Sequence, residues 1–274
     1  MPEKSFHSLS VENPRFQASP LCWTDLQLEM VGCRFVEVEA ANDNQGNYPQ
    51  QDGRRTYYAT RLATTPVEHM KLHYVRSLFR GTQVLEYVPV TAAFHYAGSL
   101  VQVSECNAFR IARNINVPHP EPIVGYYSYD ADHGREARYT ARAGPTGINN
   151  GPVQRLYDRR RDRVTPEDWT KDPYLICIIL SLAQIQWRSD TTGQPRLYIV
   201  RLLVTHRGDQ ENAYVYKADI PSQLMECLRF PTRPMSDFVF PSITVAKVTF
   251  EPFWTFGGRA VEALVGPQYF PPTA

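Results

Sequence analysis

Polar side chains form a narrow stripe along an otherwise apolar segment, YLICIILSLAQIQWR at 174–188. Cys177, Ser181, Gln184 and Arg188 recur at helical spacing. The segment is apolar around most of its circumference, so we expect a buried helix whose polar stripe lines a cavity. Ser181 or Cys177 is then a candidate nucleophile, although no G-x-S-x-G motif surrounds Ser181. The alternative is an ordinary amphipathic helix with this stripe in water.

A second candidate site lies on two predicted strands, 196–206 and 212–220, which the loop HRGDQEN joins as an antiparallel hairpin. If the loop closes symmetrically, Arg201 lies opposite Lys217, and Ile199 lies opposite Asp219. Two cations that face each other across a ladder repel, so we expect a carboxylate or a bound anion between them. The pattern predicts an anion-binding or catalytic patch of Arg201, Lys217 and Asp219. A structural ion pair or an exposed face is the alternative.

Basic residues suited to phosphate contacts occur in two places. The helix predicted at 66–80 carries four of them on one face, opposite its apolar side: His69, His73, Arg76 and Arg80. The region 126–163 is rich in arginine and tyrosine and includes Arg159, Arg160 and Arg161. Arginine forks onto phosphates and tyrosine stacks on bases, which suits RNA. A solvated helix face and a salt-bridged surface loop are the respective alternatives.

The composition excludes several classes of protein. The chain has 274 residues, 43% of them apolar, and a formal net charge of +1. It is therefore neither disordered nor a dedicated DNA-coating protein. Its five cysteines are widely spaced, with no C-x-x-C, so we expect no disulfide framework, no zinc site and a cytoplasmic location. No phosphate-binding glycine motif and no membrane-spanning apolar run occur, so we expect neither a cofactor nor a membrane partner.

The elements that must position these residues are clearest after residue 171, where the order helix, strand, strand, helix, strand, helix is predicted. Upstream, we expect strands at 35–39, 82–96 and 99–105, a helix at 66–80 capped by Thr65, and an exposed loop at 42–55. Pro89 makes 82–96 an edge strand or splits it. The fold class is mixed α/β (α+β), with a central mixed or antiparallel sheet flanked by helices. The chain is predicted as a single domain, 1–274, or as lobes 1–113 and 171–274 joined by an irregular connection, 114–170.

The C-terminal segments resemble a family of small, mostly unannotated proteins of filamentous fungi that includes arginine-containing cyclodipeptide synthases. The similar stretches are DPYLICIILSLAQ (172–184), RLYIVRLLVT (196–205), AYVYKADIP (213–221) and ITVAKVTF (243–250), about a third of the chain. The resemblance implies an enzyme of fungal secondary metabolism that forms an arginine-containing diketopiperazine from aminoacyl-tRNA.

Such a reaction has to place an amine against an ester carbonyl, transfer a proton and stabilise an oxyanion. The hypothesis assigns Ser181 or Cys177 as acyl acceptor, Lys217 or a tyrosine to proton transfer, and Arg201 to the oxyanion. The substrate guanidinium needs a carboxylate, and the substrate-binding candidates are Asp219, Glu105, Glu37 and Gln184. The basic helix face and the 126–163 region would hold the acceptor stem.

A second resemblance is to the PD-(D/E)XK nuclease core, in which Lys217 matches the motif lysine. Val215 occupies the place of the carboxylate two residues earlier, and metal-dependent hydrolysis needs that carboxylate. A degenerate nuclease-like protein and a non-catalytic binding module are therefore the alternatives to the synthase.

Overall fold

A mixed sheet of seven strands forms the centre of the protein. The computed structural model describes residues 4–17, 19–39, 53–115, 120–129, 150–192, 194, 196–236 and 239–270. The strands are β1 (Phe35–Glu37), β2 (Leu85–Tyr96), β3 (Ser99–Ile111), β4 (Ile123–Tyr129), β5 (Leu197–His206), β6 (Asn212–Pro221) and β7 (Ile243–Thr249). Their order in the sheet is β1-β7-β6-β5-β4-β3-β2. Pairs β1/β7 and β4/β5 are parallel, and the other pairs are antiparallel.

Helices cover both faces of the sheet. They are α1 (Phe6–Glu12), α2 (Asp25–Val31), α3 (Gly53–Thr64), α4 (Glu68–Thr82), α5 (Gly151–Val164), α6 (Pro173–Ser189), α7 (Ser222–Arg229) and α8 (Phe253–Val265). One apolar core joins α1, α2, α6 and α7 to the first face. A second core joins α3, α4 and α8 to the other face. Within the described ranges, no helix has both the length and the apolar character to cross a bilayer.

Helix α6 begins at a buried cap. The Asp172 carboxylate accepts the Tyr174 backbone N–H at 2.8 Å and the Tyr129 hydroxyl at 2.6 Å. Pro173 occupies the first turn, where its missing N–H costs nothing. Because β4 and β5 are parallel, the chain has to cross over between them, and α6 covers the sheet on the way.

The predicted fold class is confirmed, as are the α6, α7, β5, β6 and β7 elements and the edge position of β2. The sheet includes strands from both predicted lobes, and the region predicted as an irregular connection supplies β4, an interior strand between β5 and β3. The prediction of an irregular connection at 114–170 was wrong, because β4 and α5 both lie within this region. Strand β4 is buried on both faces and therefore lacks alternation. Helix α5 buries no residue and therefore lacks a clear apolar face.

Two further predictions on the N-terminal half need correction. Helix α3 begins at Gly53, inside the loop predicted at 42–55, whose residues 42–52 lie outside the described part of the chain. Helix α4 begins at Glu68 with Val67 as its cap residue and no side-chain capping bond, so Thr65 does not cap it. The Thr65 hydroxyl instead accepts the Val67 N–H at 3.3 Å, in a turn that separates α3 from α4.

Gly125 on β4 leaves room for the Leu182 side chain of α6 beside the backbone of the sheet. A Cβ at this position would lie 2.5 Å from Cδ1 of Leu182 and 2.9 Å from Sγ of Cys106. We expect Gly125→Ala to lower the free energy of unfolding by about 1–3 kcal/mol in urea titrations, because the core would be overpacked. Gly257→Ala in α8 is the matched control, since the nearest atom there lies at 3.4 Å. The control should be neutral or stabilise by up to about 1 kcal/mol. Equal effects of the two changes would contradict this packing.

Candidate ligand-binding cavity

The sheet separates the residues that the sequence predicted as one catalytic site. Helix α6 packs on the face that carries Val200 and Leu202 of β5. Side chains alternate along a strand, so Arg201 projects from the opposite face, and its direct partner Lys217 projects with it. Ser181 and Cys177 on α6 are therefore not brought together with Arg201 and Lys217, and the prediction that these residues act in one catalytic site was wrong.

Three residues of the polar stripe on α6, Cys177, Ser181 and Gln184, are buried, whereas Arg188 is exposed. Ser181 is fully buried, and its hydroxyl donates to the Cys177 carbonyl at 2.7 Å. Burial raises the pKa of the Cys177 thiol, which keeps it protonated and unreactive. Gln184 accepts the His95 N–H at 2.9 Å and donates to the His95 carbonyl at 2.8 Å. Gln184 therefore fixes β2 against α6. The surroundings of this helix do not support Ser181 or Cys177 as a nucleophile, or Gln184 as a substrate contact.

The predicted hairpin register is confirmed. Arg201 lies opposite Lys217 and Ile199 lies opposite Asp219. The expected carboxylate is Asp219, whose Oδ1 accepts from Nη1 of Arg201 at 2.9 Å. Burial and the neighbouring Arg201 lower the pKa of Lys217, partly offset by Asp219.

The other two carboxylates proposed for the substrate guanidinium lie elsewhere. Glu37 on β1 pairs with Lys171 at 2.8 Å, on the α6 side of the sheet. Glu105 is exposed on β3, three strands away from Asp219 on β6. Adjacent strands are about 4.8 Å apart, so the three carboxylates cannot converge on one guanidinium.

Val215, which occupies the position of the carboxylate in the nuclease motif, is fully buried. Among the described side chains, no three His, Cys, Asp or Glu residues are grouped to hold a metal ion.

The predicted basic residues of α4 are exposed: His69, His73, Arg76 and Arg80. Arg76 lies over the ring of Tyr87, with its guanidinium carbon 4.1 Å from the ring centroid. Arg159, Arg160 and Arg161 lie on helix α5 rather than in a loop. Both helices therefore present arginines to solvent.

The described residues enclose an apolar cavity of about 370 Å³ on the α6 side of the sheet. Ile176 and Leu180, one helical turn apart on α6, form its floor. Six of the fourteen lining side chains are aromatic: Phe6, Phe16, Trp23, Phe94, Tyr96 and Phe240. The rings of Phe6 and Phe16 stack at 6.0 Å, and those of Trp23 and Phe94 meet edge to face at 5.7 Å. The lining side chain of Val101 is 41% exposed, so the cavity reaches the surface.

Backbone hydrogen bonds hold the walls of the cavity in place. The Met235 N–H donates to the Lys4 carbonyl at 2.8 Å, and the His7 N–H donates to the Pro231 carbonyl at 2.9 Å. These bonds fix α1 against the segment that follows α7. The Ala97 N–H, in the turn between β2 and β3, donates to the Leu228 carbonyl at 2.9 Å. The cavity is therefore built from separate segments that tertiary contacts bring together.

Few polar side chains of the described residues face this cavity, and none of the lining residues in those ranges is charged. Oε1 of Gln27 accepts from Thr24 N and Oγ1, and its Nε2 donates to the Arg15 carbonyl. An amide nitrogen carries two protons, so one remains without a partner among the described residues. The Tyr96 hydroxyl also makes no hydrogen bond to a described residue, and burial raises its pKa.

Comparison with known proteins finds no match to a family model or to a curated protein. The function therefore has to be inferred from the site. Sequence patterns did not predict this cavity. The signal that the sequence contains is the set of aromatic residues in the segment 6–23 and the Phe94-x-Tyr96 pair.

The burial of the thiols predicts their reactivity. Burial raises the pKa of Cys33 and of Cys106 to about 12, and only the thiolate is nucleophilic. Among the five free cysteines only Cys22 is not buried. A disulfide reagent at pH 8 should therefore label one thiol rapidly in the native protein and five after unfolding. Cys22→Ser should remove the rapid phase. A rapid phase that Cys177→Ser removes instead would show that α6 is accessible.

Proposed function

We propose that this protein binds a neutral, largely apolar small molecule in the cavity beneath α1 and α2. The observation that carries the proposal is an apolar, partly aromatic space of about 370 Å³ that no charged side chain of the described residues lines. Small-molecule sites are typically concave and apolar, with a few polar groups that fix orientation. A charged ligand would lose its hydration there without gaining a partner, so the ligand is uncharged.

The cavity volume sets the size of the ligand. An apolar cavity of about 150 Å³ accepts one benzene molecule, so this space suits roughly two to three six-membered rings or an aliphatic chain of similar volume. Aromatic walls favour a ring that stacks or meets them edge to face. The Tyr96 hydroxyl and the Gln27 amide N–H supply hydrogen bonds for a carbonyl or hydroxyl group on the ligand.

A neutral fluorescent probe of this size, N-phenyl-1-naphthylamine, tests the proposal. We expect a saturable fluorescence increase at one site per chain. Leu180→Trp should weaken binding at least tenfold, because Leu180 lines the cavity and the larger indole would fill it. The affinity is measured by fluorescence titration of each folded variant.

Leu156→Trp is the control, because Leu156 is 46% exposed on α5 and does not line the cavity. Val31→Trp, from the α2 wall, is a second filling variant that changes a partly exposed residue. Unchanged probe affinity in both filling variants would refute the binding function. Weakening by Leu156→Trp alone would place the probe elsewhere.

We propose the tRNA-dependent cyclodipeptide synthase as a second function, supported by the exposed basic residues on α4 and α5. An aminoacyl-tRNA partner would contact these helices through its phosphates. The proposed location is the cytoplasm, where free thiols stay reduced. The acyl acceptor in this function is a group other than Ser181 or Cys177, because both are fully buried.

Mass spectrometry of a heterologous host tests the synthase. Expression of the chain should yield a new arginine-containing cyclic dipeptide. The double variant Arg76→Gln with Arg80→Gln should lower its yield, because both arginines are exposed on α4. Lys247→Gln, an exposed cation on the far strand β7, is the control and should leave the yield unchanged. Soluble protein without any such product would refute this function.

A further inference from the structure

We propose that Arg201, Lys217 and Thr244 form a binding site for a phosphate group, on the sheet face opposite the apolar cavity. The three residues belong to adjacent strands β5, β6 and β7 and lie in one row across the sheet. Arg201 is the direct partner of Lys217, and Lys217 is the direct partner of Thr244. Direct partners project from the same face, with Cβ atoms about 5 Å apart. A guanidinium, an ammonium and a hydroxyl therefore lie side by side on this face of the sheet.

The charge of this row is incompletely balanced. Asp219 is the carboxylate that pairs with Arg201, and it uses one oxygen on one nitrogen, Nη1. The same Nη1 also lies within hydrogen-bond distance of the Val200 and Ala218 carbonyls. Nε and Nη2 of Arg201 make no hydrogen bond to a described residue. Lys217 has neither an ion pair nor a hydrogen bond within the described ranges. Two cations against one carboxylate leave a net charge of +1.

The row is accessible but not fully hydrated. The Arg201 side chain is 17% exposed, and Lys217 and Thr244 are partly exposed. Helix α8 covers the same face further along β5, over Leu203. Partial burial strengthens the attraction of these cations to an anion. A bound anion would also offset the repulsion between the two neighbouring positive charges. A planar carboxylate is held well by a single arginine fork, whereas donors from three side chains suit a tetrahedral oxyanion.

Inorganic phosphate is the probe for this site. It is titrated into the full-length protein by calorimetry, with chloride adjusted to keep the ionic strength constant. We expect one saturable site. Lys217→Met, which keeps the length of the side chain, should weaken phosphate binding at least tenfold. Thr244→Val, which removes only the hydroxyl donor, should weaken it less.

Lys247→Met is the matched control. Lys247 is an exposed lysine that lies over the Tyr214 ring on the cavity face, so its replacement should leave phosphate binding unchanged. Lys217→Met should also melt at a higher temperature than the parent in phosphate-free buffer, because it relieves the repulsion with Arg201. Binding of the naphthylamine probe should be unchanged in Lys217→Met, which separates this proposal from the cavity function.

Three results would overturn the phosphate site. The first is no saturable phosphate binding at millimolar concentrations. The second is equal affinity of the parent and Lys217→Met for phosphate, which would place any bound anion elsewhere. The third is acetate binding as strong as phosphate binding, which would show an unselective cationic patch.

Discussion

Helix α6 is buried along twelve consecutive residues, from Pro173 to Gln184, and it lies between the sheet and the N-terminal helices. The parallel pairing of β4 and β5 needs a crossover, which places α6 over one face of the sheet, and α1, α2 and α7 cover its other side. One side of α6 approaches Gly125 closely, and the other side gives Ile176 and Leu180 to the cavity. The cavity exists because α1 and α2 cover this second side without filling it.

Burial also decides the chemistry of the polar groups on α6. A polar group inside a core has to find a hydrogen-bond partner, and Ser181, Gln184 and the Asp172 cap do so within the protein. Ser181 bonds to its own helix, Gln184 bonds to the backbone of β2, and Asp172 caps the helix and accepts from Tyr129. The polar stripe thus stabilises the attachment of α6 to the sheet.

The alternation of side chains along the strands gives the protein two chemically different faces. The α6 face holds a cavity whose described lining residues are uncharged, whereas the opposite face carries the partly exposed Arg201 and Lys217 beside the covering helix α8. About 10 Å separates packed layers, so groups on the two faces cannot act on one reacting atom. A site that combines Ser181 with Lys217 is excluded by this geometry, whereas separate ligands on the two faces are compatible with it.

The sequence alone determined the elements after residue 171 and the pairing of Arg201 with Lys217. These depend on local signals, namely the Asp172-Pro173 helix start and a short loop that sets the hairpin register. It did not determine β4, because a strand buried on both faces shows no alternation of apolar and polar residues. It did not determine α5 either, because that helix has no buried face. The cavity was decided only by tertiary structure. Residues as far apart as Phe6, Leu180 and Phe240 line it, and no local pattern encodes which distant segments come together.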